Sequence, residues 1–215
     1  MYDARLRLII DPILNRVAAR ARRLPVSADA VTVAGLVAGL GAAAAIVCGA
    51  FEWALGLIIL NRLADGLDGA LARQRGATLL GGYIDIVFDF IFYGAVPLAF
   101  ALLDPQQNGL AAACLLFSFY ANGATFLAFS AVAAEAGLAT EAQGKKTIYY
   151  LAGLAEGAET IAVFCLMALL PWAFAPLAFA FAALCTVSAG ARIVAAWQTL
   201  SRLPPPSQRS AKIRR

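Results

Sequence analysis

The chain has 215 residues, 62% of them hydrophobic and 14% charged, with a mean hydropathy of +0.77. A soluble domain averages about 45–50% apolar and about 25% charged residues, so a water-soluble fold is excluded and a membrane protein is expected. Histidine is absent, which removes Ser-His-Asp and Cys-His catalysis and every histidine-ligated metal site.

Residues 1–29 interleave Arg5, Arg7, Arg16, Arg20, Arg22 and Arg23 with Leu8, Ile9, Ile10, Ile13, Leu14 and Val17. This basic amphipathic pattern predicts a cytoplasmic juxtamembrane helix lying flat on an anionic membrane surface; an unstructured basic arm is the alternative. Six apolar stretches follow, near 30–50, 52–73, 79–103, 108–134, 147–172 and 174–199. Each is long enough for the roughly 20 helical residues that cross about 30 Å of hydrocarbon. Ala, Leu and Gly dominate without in–out alternation, so helices rather than strands are expected. The predicted fold is an all-α integral membrane protein: six transmembrane helices over residues 30–200, after an amino-terminal amphipathic interfacial helix. Residues 201–215, with Pro204-Pro205-Pro206 and a basic end, read as a flexible cytoplasmic tail. Cys48, Cys114, Cys165 and Cys185 lie far apart inside apolar runs and read as small buried hydrophobes.

Six spans put both termini on one side. That side collects the amino-terminal arginines, Arg73, Arg75, Lys145, Lys146, Arg202, Arg209, Lys212, Arg214 and Arg215, whereas the opposite loops carry Glu52 and Asp104 and no basic residue. The positive-inside rule places both termini in the cytoplasm, in the cell inner membrane. The pI of about 9.0 follows from these flanking charges. They form no stripe with stacking aromatics, so nucleic acid is not an expected partner.

Acids inside spans are costly, at about 2.5–3.5 kcal/mol each at mid-bilayer. Four occur close together: Asp65 and Asp68, three apart on the second span, and Asp85 and Asp89, four apart on the third. Counted inward at 1.5 Å per residue, all four lie about 8–15 Å below the cytoplasmic end, where a tight antiparallel hairpin would join them. Gly66, Gly69, Gly81 and Gly82 would permit close approach of backbones or a ligand. Four carboxylates at one depth repel unless a cation lies between them. An all-oxygen donor set points to Mg²⁺ or Mn²⁺, with two ions expected, and hence to a phosphoryl substrate. A metal-free salt-bridge cluster with Arg62 and Arg73 is the alternative.

These residues resemble a known signature. Asp65-x-x-Asp68-Gly69-x-x-Ala72-Arg73, then Gly81-x-x-x-Asp85-x-x-x-Asp89, is similar to the CDP-alcohol phosphotransferase motif D-x2-D-G-x2-A-R-x8-G-x3-D-x3-D. Seven residues rather than eight separate Arg73 from Gly81, the deletion falling in the predicted Gln74–Leu80 turn. Asp29 stands where many members have Asn in an Asn-x-x-Thr start to the first span, with Thr32 kept. The resemblance implies that Asp65, Asp68 and Asp85 bind the metals, and that Asp89 belongs to the same metal site and is the general base. It further implies that Thr32, Asp65, Asp68, Gly69, Ala72, Arg73 and Gly81 hold the cytidine diphosphate portion. The implied activity is that of a phospholipid-synthesis transferase working as a homodimer. It transfers a phosphatidyl-type group from a CDP-linked lipid donor, CDP-diacylglycerol by preference, to a small polar acceptor, with release of CMP.

Lys145 and Lys146 open the fifth span from the cytoplasmic face, where they either hold a phosphorylated acceptor such as glycerol 3-phosphate or anchor the span. Glu156 and Glu159 share a face of that span, and Arg192 lies in the sixth; each reads either as part of an acceptor pocket or as a polar clamp. The aromatic residues Phe90, Phe92, Tyr93, Phe117, Phe119 and Tyr120 read as lipid-facing or packing residues. A rival function from another class is a small cation transporter using the aspartates as its ion site, although no internal repeat accompanies them.

Overall fold

A computed structural model of the chain describes residues 27–136 and 157–203, together with Arg16, which is helical. The rest of the amino-terminal amphipathic segment, Lys145, Lys146, Glu156 and the 204–215 tail lie outside the described residues. Those described form six α-helices and no strand: α1 (Ala28–Val47), α2 (Phe51–Arg75), α3 (Leu79–Leu103), α4 (Pro105–Glu135), α5 (Gly157–Leu169) and α6 (Phe174–Leu200). A single 3₁₀ turn, Pro171–Ala173, leads into α6.

Local chemistry sets the boundaries. Ser27 caps α1 by accepting from the Ala30 N–H at 3.0 Å, and Thr78 caps α3 by accepting from Gly81 N–H at 2.9 Å. The link between α1 and α2 turns at Gly49 (φ 71°), and α2 stops at Gly76 (φ 102°), whose N–H returns to the Ala72 carbonyl. Both dihedrals are in the range that only glycine enters cheaply. A single residue, Asp104, joins α3 to α4, its Oδ1 accepting from Gln107 N–H at 2.9 Å while Asn108 Nδ2 donates to the Phe100 carbonyl at 3.0 Å.

Four helices among the described residues are long and apolar enough to cross a membrane: Ala28–Val47, Leu79–Leu103, Pro105–Glu135 and Pro171–Leu200. The helix α2 has the length of a span, but Glu52, Arg62, Asp65 and Asp68 lower its apolarity. The described part of the expected fifth span is the 13-residue α5. Trp53 at the start of α2 and Trp172 at the α5–α6 link are each 74% exposed, as expected of residues at a membrane–water interface. The protein is a multi-pass membrane protein.

The chain divides into two compact units, residues 1–116 with 156–182 and residues 117–155 with 183–215. In the first unit α1 is the spine. Its buried residues Gly35, Ala38, Gly39, Ala42 and Ile46 recur at helical spacing, forming a face of small side chains. Both α2 and α3 pack closely on α1, and α5 packs on α2. The expected tight α2–α3 hairpin is therefore replaced by two arms held through α1 rather than by close backbone packing on one another. An aromatic core closes the unit, with Phe100 and Phe174 stacked at 4.2 Å and Phe92 edge-on to Phe164 at 5.8 Å. Phe92 is thus a buried packing residue, whereas Phe117 and Tyr120 are largely exposed.

In the second unit Arg192 Nη1 donates to Asn122 Oδ1 at 3.1 Å, and its guanidinium lies 5.7 Å from the Phe126 ring centroid. Of the cysteines, Cys185 is buried and Cys114 and Cys165 are half-buried, but Cys48 is exposed. Cys48 is the C-cap of α1, not part of its packed face.

Candidate metal centre

The site is built where α2 and α3 lean on the first half of α1. Thr32, Gly35 and Leu36 form its α1 wall, Asn61, Asp65 and Asp68 come from α2, and Asp85, Phe88 and Asp89 come from α3. Asp65 and Asp68 reach it from one face of α2, and Asp85 and Asp89 from one face of α3, as the i,i+3 and i,i+4 spacings predict. The recess encloses about 10 Å³, about the space of one water molecule or ion.

Close packing against α1 depends on Gly35 and Gly39. A Cβ at Gly39 would come within 2.7 Å of Phe92 Cδ2 and 3.1 Å of Asn61 Nδ2, and one at Gly35 within 3.2 Å of the Ala64 Cβ. Asn61 uses that proximity, its Nδ2 donating to the Gly35 carbonyl at 2.8 Å in a buried bond between α1 and α2.

Asp65, Asp68 and Asp85 each present an oxygen, and the three lie within 4.8 Å of one another. Oxygens bound to one Mg²⁺-type ion at about 2.1 Å can stand at most about 4.2 Å apart, so small side-chain movements suffice for a shared ion. Burial sharpens the case. Asp68 is 5% exposed, and its Oδ2 has no hydrogen-bond partner; Asn61 Oδ1 is likewise buried without one. Buried acceptors are normally paired, and two unpaired oxygens lining one recess with three carboxylates suit a hard divalent cation. Arg62 forms an ion pair with Asp65, as the salt-bridge alternative requires, but this leaves Asp68 Oδ2 unsatisfied. The Thr32 hydroxyl stands beside the Asp68 carboxyl group and donates to the Ala28 carbonyl at 3.1 Å.

Asp89 lines the same recess, its Oδ2 accepting from the Tyr93 hydroxyl at 3.3 Å. Gly69 lies on α2 beside Arg73, whose Nη1 would stand 3.4 Å from a Cβ at Gly69; Arg73 itself is exposed and Ala72 half-buried. Gly81 is placed differently from a simple ligand contact. A Cβ there would lie 2.9 Å from Thr78 Oγ1 and 3.0 Å from Asp29 Oδ1, so this glycine lets the α3 cap meet the first turn of α1. Arg192 belongs to the second unit, bonded to Asn122. Sequence reasoning missed two site residues. Asn61 is four residues before Asp65, and Tyr93 four after Asp89, each on the face its neighbouring aspartate marks.

Residues 25–202 match the model of the CDP-alcohol phosphatidyltransferase family. The chain belongs to that family. CDP-alcohol phosphatidyltransferases transfer substituted phosphate groups, so this chain is a membrane transferase of phospholipid biosynthesis. It is 42% identical over 203 residues to the inner membrane protein YnjF of Escherichia coli strain K12, covering 94% of this chain and 98% of that one. It is 34% identical over 92 residues to the archaetidylinositol phosphate synthase of Methanothermobacter thermautotrophicus, covering 42% of this chain and 44% of that one. In fold it is similar to the Mycobacterium tuberculosis phosphatidylinositol phosphate synthase PgsA1 with CDP-DAG bound, at a TM-score of 0.58 and 24% identity over 88% of this chain and 92% of the other. The same enzyme in complex with manganese and citrate gives a TM-score of 0.57, with 24% identity over 87% of each chain. None of these likenesses supports the cation-transporter alternative.

Proposed function

We propose that this CDP-alcohol phosphatidyltransferase transfers a phosphatidyl group from CDP-diacylglycerol to a hydroxyl of a small phosphate-bearing polyol, releasing CMP. The observation that carries the reading is the convergence of Asp65, Asp68 and Asp85 within 4.8 Å, beside Asp89 and around a buried unpartnered oxygen. Asp65, Asp68 and Asp85 would hold Mg²⁺ or Mn²⁺, as one ion or two, which when bound neutralises charge on the donor's diphosphate oxygens.

The chain's own residues do the rest. Gly69 has no side chain, which leaves room beside the Arg73 guanidinium for a phosphate of the donor. Thr32, Ala72 and Gly81 complete the proposed cytidine diphosphate subsite. Asp89 takes the proton of the acceptor hydroxyl as its oxygen bonds to the phosphatidyl phosphorus. The bond from that phosphorus to the CMP oxygen breaks, and CMP leaves with the electron pair. The pair Lys145-Lys146 in the sequence is the proposed partner of an acceptor phosphate, which favours glycerol 3-phosphate or an inositol phosphate over an uncharged alcohol. The reading includes an inner-membrane location with the site facing the cytoplasm, and a homodimer.

The test is CMP release by purified protein with CDP-diacylglycerol and Mn²⁺ or Mg²⁺ across a panel of polar acceptors. Metal-dependent release with one phosphorylated acceptor supports the reading. Binding of CDP without release from any acceptor would move the donor to a different CDP-alcohol. Asp89→Asn is expected to lower turnover by at least about 100-fold while CDP binding persists; normal turnover in that variant removes Asp89 as base.

A further inference from the structure

Behind Asp89, away from the motif, lies a polar group of three helices that the transfer step does not use. Tyr93 is one turn beyond Asp89 on α3 and donates its hydroxyl to Asp89 Oδ2 at 3.3 Å. The Arg62 guanidinium, from α2, stands beside the same hydroxyl, both within 4.0 Å of a Cβ placed at Gly157, and pairs with Asp65. Gly157, the first residue of α5, closes over both: a Cβ there would stand 3.3 Å from Tyr93 Oη and 4.0 Å from Arg62 Nη1. The Tyr93 ring packs against Phe92 at 5.9 Å and Phe164 at 6.2 Å, so its direction is set by the aromatic core. Farther along α3, Pro97 has no N–H to offer the Tyr93 carbonyl.

We infer that Tyr93 is a positioning residue for Asp89, its hydroxyl oriented by Arg62 and seated under Gly157 so that Asp89 Oδ2 is tethered while the rest of the carboxylate serves the acceptor. A carboxylate on two rotatable bonds has several rotamers. A base must keep within hydrogen-bonding reach of the proton it removes. One donor on one oxygen selects a rotamer without neutralising the charge. Arg62 then links the two acid pairs, holding Asp65 directly and Asp89 through Tyr93, so α2 and α3 share a polar tie where their backbones do not pack closely. The inference rests on the proposed role of Asp89 and adds a residue that no motif position supplies.

The experiment compares Tyr93→Phe, Gly157→Ala and Asp89→Asn as full-length protein in detergent. Its readouts are CMP release from CDP-diacylglycerol with Mn²⁺ and the best acceptor of the panel, Mn²⁺ binding by EPR titration, and the thermal midpoint. Tyr93→Phe keeps the ring in the aromatic core and removes only the hydroxyl. Its kcat is expected to fall about tenfold, the effect of losing one hydrogen bond to a charged group. Its donor KM, Mn²⁺ affinity and thermal midpoint stay near those of the unaltered protein. Gly157→Ala, which crowds the hydroxyl without deleting it, is expected to lower kcat in the same pattern by a smaller factor. An unchanged kcat in Tyr93→Phe overturns the inference, as does a parallel loss of kcat, Mn²⁺ binding and thermal midpoint, which marks a purely structural tyrosine. If Asp89→Asn turns over normally, the role of the base itself fails, an outcome separate from an inactive Asp89→Asn beside a fully active Tyr93→Phe.

Discussion

Asp68 concentrates the chemistry of the recess in one side chain. It is nearly fully buried, Thr32 stands beside it, and its Oδ2 has no partner. Asp68→Asn keeps the shape and removes the charge, so Mn²⁺ affinity is expected to fall by at least about 100-fold, beyond the usual cost of losing a residue that only supports a ligand. EPR titration checks this directly, and unchanged Mn²⁺ affinity would remove Asp68 from the ligand set. The four aspartates were legible in the sequence for a physical reason: an ionisable group in an apolar helix is too costly to keep without a task. Tyr93 was not legible, because a tyrosine within Phe90-Ile91-Phe92-Tyr93 looks like any other apolar aromatic. Its hydroxyl bond to Asp89 separates it from the neighbouring phenylalanines.

At the scale of elements, the packing of α2 and α3 on α1 is the quantity to perturb. Gly39→Leu would drive its side chain into Phe92 and Asn61, where even a Cβ would be 2.7 Å from a ring carbon. The expected cost is about 1–3 kcal/mol, read as a lower thermal midpoint in detergent together with weaker Mn²⁺ binding, since Asn61 lines the recess. Gly56→Ala is the control, because nothing stands within 4 Å of its Cβ position; its midpoint should stay level or rise. Helix boundaries followed the sequence closely. The expected span near 79–103 is α3 to the residue, and the one near 52–73 is α2 with a short extension at each end. Partners were harder to read. The spacing of acids marks a buried face but not what lies opposite, so a direct hairpin was expected where α1 in fact mediates.

For the whole molecule, topology is the property to test. Cys48 is exposed at the turn between α1 and α2, and the positive-inside rule puts that turn outside the cytoplasm. A membrane-impermeant maleimide is expected to label Cys48 in intact spheroplasts, with Cys48→Ser abolishing that signal. Ala77→Cys, in the link between α2 and α3, should react only after the membrane is opened. The reverse pattern would invert the orientation and turn the recess outward. The expected orientation rests on charge balance alone, because the basic residues of the chain crowd one set of loops.

The three-residue link Gly76–Thr78 between α2 and α3 also bears on how the chain enters the bilayer. With Arg62, Asp65 and Asp68 in its second half, α2 partitions poorly as a lone segment leaving the translocon. The apolar α3 follows almost at once and has the hydropathy to stay in lipid. Insertion of α2 is therefore expected to depend on α3, and lengthening the Gly76–Thr78 link is expected to lower the share of α2 that membranes protect from protease. The helix expected to carry Asp65 and Asp68 into the membrane supplies the other two acids of the recess itself, Asp85 and Asp89.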